Sequence, residues 1–181
     1  YPASGGIAPL AETGHDHETG INPRFALSYQ VNDDTLLFAE AAKGFRFGGV
    51  NYPLPNTCAL TAPTSFGPDK VWSYQIGEKA NLFDKRVKLN VTGFWIDWDD
   101  VQTQQVDYSC SYFFFVANGK VRSRGLEGET SARLTDRLTI SADSSYTDAT
   151  ALTNLPDGTL QGAQLTRSPK YIASAAIDYA L

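Results

Sequence analysis

Stretches in which apolar and polar side chains alternate run for about ten residues each along this chain, and the connections between them sort by length. Phe25, Leu27, Tyr29 and Val31 share one face of the first stretch, and Arg24, Ala26, Ser28 and Gln30 share the other. Trp72, Tyr74 and Ile76 oppose Ser73, Gln75, Gly77 and Lys79 in the same way, and Val87, Leu89 and Val91 oppose Lys88, Asn90 and Thr92. Residues 32–34, 83–85 and 135–137 are short turns, whereas 46–68, 99–111 and 148–168 are long connections, the first rich in Gly and Pro and the last in Gly, Thr and Leu. Short and long connections alternate, so all the short ones fall at one end of an antiparallel up-and-down meander and all the long ones at the other. The fold class expected is therefore all-β. Alternation alone fits a soluble sheet with one wet face equally well. The sorted loops and the strand length, against a mode of about 5–6 residues in globular sheets, favour part of a large transmembrane β-barrel, because about ten tilted residues cross a bilayer.

The element boundaries expected are strands from Arg24 to Val31, Thr35 to Phe45, Val71 to Phe83 and Arg86 to Asp97. A fifth starts at Tyr112, is interrupted near Asn118-Gly119 and ends around Leu134. A sixth begins at Leu138, and the last carries Ala173, Ala175, Ile177, Tyr179 and Leu181 on one face. Residues 1–21 read as a loop segment and 22–181 as about seven strands.

The net charge of -5 argues against a nucleic-acid partner. No apolar run approaches the roughly 20 residues of a spanning helix, which excludes an α-helical membrane protein and leaves a barrel open. Tyr1-Pro2-Ala3-Ser4-Gly5-Gly6 has neither the basic nor the apolar region of a signal peptide, so an exported chain is expected to start upstream. Cys58 and Cys110 fit either free thiols or one loop disulfide in an oxidising compartment.

A series of motifs, weak singly, gains weight from its order. Gly44-Phe45-Arg46-Phe47-Gly48-Gly49-Val50-Asn51 is followed by Trp72-Ser73-Tyr74-Gln75-Ile76-Gly77-Glu78-Lys79, then by Gly125-Leu126-Glu127-Gly128-Glu129, Tyr146-Thr147-Asp148-Ala149 and the segment from Arg167-Ser168-Pro169 to Tyr179. In this order they resemble the second half of the β-barrel of TonB-dependent outer-membrane receptors, over about residues 22–181. Phe47 stands where proline is common in the family, Gln75 where an acid is usual, and Glu78 where an apolar residue is usual. A charge on the lipid face costs least near an interface, so Glu78 is expected close to the periplasmic rim.

The resemblance implies a 22-stranded barrel closed by an N-terminal plug. It implies a receptor in the outer membrane of a Gram-negative bacterium that imports a scarce nutrient with energy passed through TonB. An iron–siderophore complex is the usual cargo. The partners implied are outer-membrane lipid, TonB through an N-terminal region outside this chain, and the nutrient; no cofactor and no catalysis are implied. Plug, TonB-binding segment and remaining strands are expected beyond the ends of this chain, whose last residues Tyr179-Ala180-Leu181 lack the family's terminal Phe. With two unpaired edges, the piece is not expected to fold alone. The competing readings are a passive porin-like barrel and a soluble all-β binding module.

Candidate residues divide by position. Cys58 and Cys110 fall in successive long loops on the outer side, where a disulfide would tie down ligand-gathering segments. Arg46 and Asn51 at the mouth, and Tyr108 and Tyr112 in the second long loop, are the candidate substrate-facing residues. Arg46 would attract an anionic chelate or pair with a loop carboxylate. Tyr108 and Tyr112, with Phe113, Phe114 and Phe115, would form an outer aromatic girdle or contact a planar ligand. Glu127 and Glu129 are two apart on one strand and both point to the lumen; paired carboxylates suit acid–base work, but the plainer role is structural charge paired with Lys or Arg on neighbouring strands. His15-Asp16-His17-Glu18 holds four ligand types in four residues, yet consecutive side chains diverge, so a metal would need further ligands. These are the only histidines, and neither has a strand-anchored serine nearby to build a hydrolase.

Overall fold

The computed structural model describes residues 19–181, so the His15–Glu18 cluster and most of the leading loop segment lie outside the described residues. Seven strands make one sheet: β1 (Arg24–Asn32), β2 (Thr35–Arg46), β5 (Asp69–Leu82), β6 (Val87–Asp99), β9 (Lys120–Arg133), β10 (Leu138–Ala151) and β11 (Tyr171–Tyr179). Each pairs antiparallel with the next, which is the up-and-down meander the alternation called for. The remaining strands are short and sit within the long connections: β3 (Gly49–Val50) with β4 (Ser65–Phe66), and β7 (Gln102–Asp107) with β8 (Tyr112–Ala117).

Here the structure corrects one boundary: residues 99–111 are not a plain loop. The strand expected from Tyr112 is interrupted at Asn118-Gly119 and ends at Arg133, as the sequence suggests. Tyr112–Ala117 folds back on Gln102–Asp107 as a hairpin, and a separate strand starts at Lys120. Gly119 makes the break: its φ of +103° suits glycine, and a Cβ there would meet the Leu155 side chain at 2.5 Å.

The short turns are closed by local chemistry. The Asn32 side chain accepts the Asp34 N–H at 2.9 Å, and the Thr135 hydroxyl accepts those of Arg137 and Leu138 at 3.2 and 3.1 Å. Phe83, Asp84 and Lys85 turn through consecutive left-handed backbones, φ 54°, 54° and 64°.

Register carries each face across the sheet, because directly opposed residues point the same way. One row reads Phe25, Ala41, Tyr74, Trp95 and Arg124; the opposite face has Ser28, Phe38, Gly77, Thr92, Glu127 and Ser145 in one row. On the polar face, Phe38 and Phe94 lie over glycines: a Cβ at Gly77 would be 2.5 Å from the Phe38 ring and one at Gly125 2.8 Å from that of Phe94. Glu78 shares the apolar face, between Leu37 and Val91. It stands four residues before the strand end at Leu82, about 10 Å in at a 3.3 Å rise and 40° tilt, in the half of β5 nearer the short turn.

Among the described residues no second layer covers the apolar face of the membrane-length strands. Leu27, Ile76 and Ile177 are each about 70 % exposed (73 %, 69 % and 71 %). A soluble domain is built from at least two packed layers, and so large an apolar surface marks a membrane or partner contact. The buried hydrophobic cluster is elsewhere, at the long-loop end: Val101, Val121, Ala151 and Leu155, with Trp98 and Leu165 against it. Among the described residues no helix is long and apolar enough to cross a membrane.

Candidate functional site

At the long-loop end the three long connections interlock over the polar face. Arg46 ends β2 opposite Asp69, the first residue of β5. The Arg46 Nε donates to both Asp69 carboxylate oxygens at 3.1 and 2.9 Å, its backbone N–H adds a 3.2 Å bond, and a terminal nitrogen completes the pair. The guanidinium lies 5.1 Å from the centroid of the Trp98 ring. Asp69 is 1 % exposed while the Arg46 side chain is 56 % exposed, so a buried carboxylate aims an accessible cation into the mouth. Arg46 is thus already paired, by a strand carboxylate rather than one from a loop.

Asn51 lies deeper, at 8 % exposure. Its side-chain oxygen accepts the Phe115 N–H at 2.8 Å, and its nitrogen donates to the carbonyls of Phe115 and Pro63 at 2.7 and 3.0 Å. The amide acts as a strand partner for the β7–β8 hairpin, fixing the first long connection to the second. Asn51→Ala leaves these buried backbone groups unpaired, at about 1–3 kcal/mol. Faster hydrogen exchange at the Phe115 amide, by tenfold or more, is the expected readout.

Two further links join the same pair of connections. Cys58 and Cys110 form a disulfide with Cα atoms 5.1 Å apart. Asp107, 3 % exposed, accepts the Leu60 N–H at 2.7 Å and the Ser109 N–H and hydroxyl at 2.9 and 2.6 Å, and the Ser109 hydroxyl in turn accepts the Ala59 N–H at 2.9 Å. Cys58, Asp107 and Cys110 place potential ligand atoms within 4.8 Å of one another, but the disulfide removes both thiolates, so in this oxidised form the cluster is a staple and not a metal site.

The Ser109 hydroxyl, with the Leu60 N–H behind it, holds the Asp107 carboxyl below the usual aspartate range. A carboxylate whose pKa is depressed by folding stabilises the fold above its unfolded pKa, near 3.9, and loses that contribution as pH falls through the folded value. The staple is therefore expected to keep its protection against proteolysis from neutrality down to about pH 4 and to loosen only below it. Protease mapping across pH checks this; loosening near pH 6 would contradict it.

The third long connection joins through Gln105, which donates to the Pro156 carbonyl at 2.8 Å, and through Leu155 in the buried cluster. Gln102 ties the base of the hairpin to the carbonyls of Phe47 and Gly67 at 2.8 and 3.1 Å. On this braced platform the aromatics separate. Phe114 is buried at 3 %, Phe115 packs against Phe66 and Phe113 with ring centroids 5.5 and 6.2 Å away, and Tyr108 and Tyr112 are 89 % and 49 % exposed.

Glu127 and Glu129 line the polar face opposite Thr92 and Asn90. Glu129 accepts a 3.1 Å bond from the Asn90 amide, and among the described residues neither glutamate makes the ion pair expected of it. Sequence reasoning missed Asp69, Gln102, Gln105 and Asp107. Only Asp107 carried a local signal, the Asp-x-Ser spacing of an Asx turn; the others act across 23 to 55 residues.

This arrangement, a one-layer wall with tight turns below and braced loops above, has matches among known proteins. The family described as TonB dependent receptor-like, beta-barrel, matches residues 3–181. The chain belongs to that family. It is 28 % identical over 157 residues to the metal-pseudopaline receptor CntO of Pseudomonas aeruginosa, covering 87 % of this chain and 20 % of that protein. It is 32 % identical over 149 residues to the ferrichrome outer membrane transporter/phage receptor of Escherichia coli K12, covering 73 % of this chain and 19 % of that one. Among solved structures, the ferric yersiniabactin uptake receptor FyuA from Yersinia pestis superposes with a TM-score of 0.68 at 20 % identity, over 87 % of this chain and 22 % of that one. This TonB-dependent receptor segment thus spans about a fifth of its relatives' length. Its strands belong to an outer-membrane barrel of a Gram-negative bacterium, left open here because seven strands do not close it.

Proposed function

We propose that this chain forms wall and outer mouth of a receptor that captures a metal chelate, an iron–siderophore complex, and passes it inward in an energy-coupled, TonB-dependent step without covalent chemistry. One observation carries the reading: the long loops are locked into a single aromatic-bearing platform over the polar face. A receptor gains affinity when its contacts are pre-organised. Exposed Tyr108 and Tyr112, with the cation of Arg46, suit a planar, anionic chelate. Relatives named for metal-pseudopaline, ferrichrome and ferric yersiniabactin support the ligand class. TonB engages the receptor through its N-terminal region, and outer-membrane lipid covers the apolar face.

The test is a titration of the full-length receptor with ferric hydroxamate, ferric catecholate and mixed chelates, followed by tryptophan quenching. Saturable binding of one class is expected, weakened about tenfold by Tyr108→Ala or Tyr112→Ala, the cost of about 1.4 kcal/mol at a contact residue. Absence of binding across the panel, with uptake of small neutral solutes instead, would overturn it.

A further inference from the structure

Two carboxylates are buried among the described residues, and only one of them meets a cation. Asp69 has Arg46. Asp107, 3 % exposed, is held by neutral donors: the Leu60 N–H on Oδ2, and the Ser109 N–H and hydroxyl on Oδ1. A buried charge in a protein is ordinarily paired or bound to a metal. Beside this carboxylate lies sulfur. One donor atom from each of Cys58, Asp107 and Cys110 falls within 4.8 Å of the other two.

The two cysteines come from different long connections, and their approach is set by more than the bond between them. Cys58 precedes Ala59, whose N–H goes to the Ser109 hydroxyl at 2.9 Å, and Cys110 follows Ser109 directly. The Cys58 N–H closes a turn on the Pro55 carbonyl at 2.9 Å, and the Cys110 N–H one on that of Asp107 at 3.4 Å. The Asn51 amide joins the same two connections through Phe115. Reduction therefore loosens the platform but leaves bonds that return the two thiols to each other and to the carboxylate. Donor atoms around zinc stand roughly 3–4 Å apart, because zinc holds sulfur at about 2.3 Å and oxygen at about 2.0–2.2 Å. Rotation of the two freed side chains is enough to reach that spacing. Two thiolates with one carboxylate suit zinc, whereas calcium and magnesium take oxygen ligands. Three protein ligands leave a fourth position for water.

We propose that Cys58, Cys110 and Asp107 form a redox-gated zinc site, closed while the disulfide is intact and opened by its reduction. An extracellular low-molecular-weight thiol supplies the electrons. Two of its molecules join in a disulfide, the Cys58–Cys110 bond breaks, and each freed sulfur takes one proton. Zinc displaces both protons and binds the two thiolates and the carboxylate. The metal then links the first long connection to the second where the disulfide did, so the platform survives reduction. The site is independent of which chelate is transported.

The experiment is a zinc titration of the full-length receptor in detergent with no chelate present, oxidised and after reduction with a phosphine, counting metal retained after desalting. Reduction is expected to add about one tightly held zinc per receptor, and cobalt in its place is expected to show thiolate-to-metal charge-transfer absorption. This comparison uses no variant, so it decides even where a variant folds poorly. The pair Cys58→Ser with Cys110→Ser is expected to lose the added zinc, which separates this site from histidines and cysteines elsewhere in the receptor. Asp107→Asn is expected to weaken zinc binding by the reduced form at least tenfold. In the reduced parent, zinc is expected to slow hydrogen exchange at the Leu60 amide at least tenfold. No added zinc on reduction, equal addition in the cysteine pair variant, unchanged affinity in Asp107→Asn, unchanged exchange at Leu60 or a cobalt spectrum without the thiolate band overturns the proposal.

Discussion

Gly125→Val is expected to prevent assembly of the barrel, seen as loss of the compact, heat-modifiable form on gels and of the folded signal in refolding assays. A Cβ at Gly125 would lie 1.9 Å from the Tyr146 carbonyl oxygen and 2.8 Å from Cζ of Phe94. The backbone oxygen cannot give way. Tyr146 is locked in β10 between two ladders, and Phe94 is the cross-strand partner that closes over the glycine. Overpacking usually costs about 1–3 kcal/mol when side chains can adjust; against a fixed backbone oxygen the expected cost is about 3 kcal/mol or more. Gly128→Ala is the control, since an added methyl there meets only the Ser144 hydroxyl at 3.6 Å. Normal folding of Gly125→Val with the parent's stability would show that β9 and β10 are not paired in this register.

The second large effect is expected at the loops. Cys58→Ser with Cys110→Ser opens a cross-link spanning 52 residues, worth about 4 kcal/mol in the chain-entropy account. The strands anchor both loop bases, so the loss is expected to fall on the platform and leave the barrel standing. Hydrogen exchange at the Leu60 and Phe115 amides should rise about a hundredfold or more, and a protease should cut between residues 51 and 64. Chelate affinity should fall with it, since the platform would have to be ordered on binding. Unchanged exchange would mean that Asn51 and Asp107 suffice to hold the loops, and the disulfide would then be redundant.

The contrast between these sites explains what was legible in the sequence. Period-two alternation fixes which side chains share a face, so the faces of β1, β5, β6, β10 and β11 follow from Phe25, Trp72, Val87, Leu138 and Ala173 with their neighbours. Asn32, Thr135 and the residues around Asp84 are turn formers with local partners, so the short ends were readable too. The mouth was not. Whether Asn51 faces a ligand or Phe115 depends on a bond across 64 residues, and whether Arg46 is free depends on Asp69, 23 residues away. The first half of the β7–β8 hairpin was hidden inside the 99–111 connection, whereas the break at Asn118-Gly119 was legible.

The most direct measurement is a nitroxide scan of β6, residues 87 to 96, in the full-length receptor in outer-membrane lipid. Accessibility to dissolved oxygen and to a water-soluble nickel chelate would be compared at each position. The account predicts strict alternation: positions 87, 89, 91 and 93 open to oxygen, positions 88, 90, 92 and 94 open to the nickel chelate. Uniform shielding from both reagents, or alternation with the faces exchanged, would contradict it.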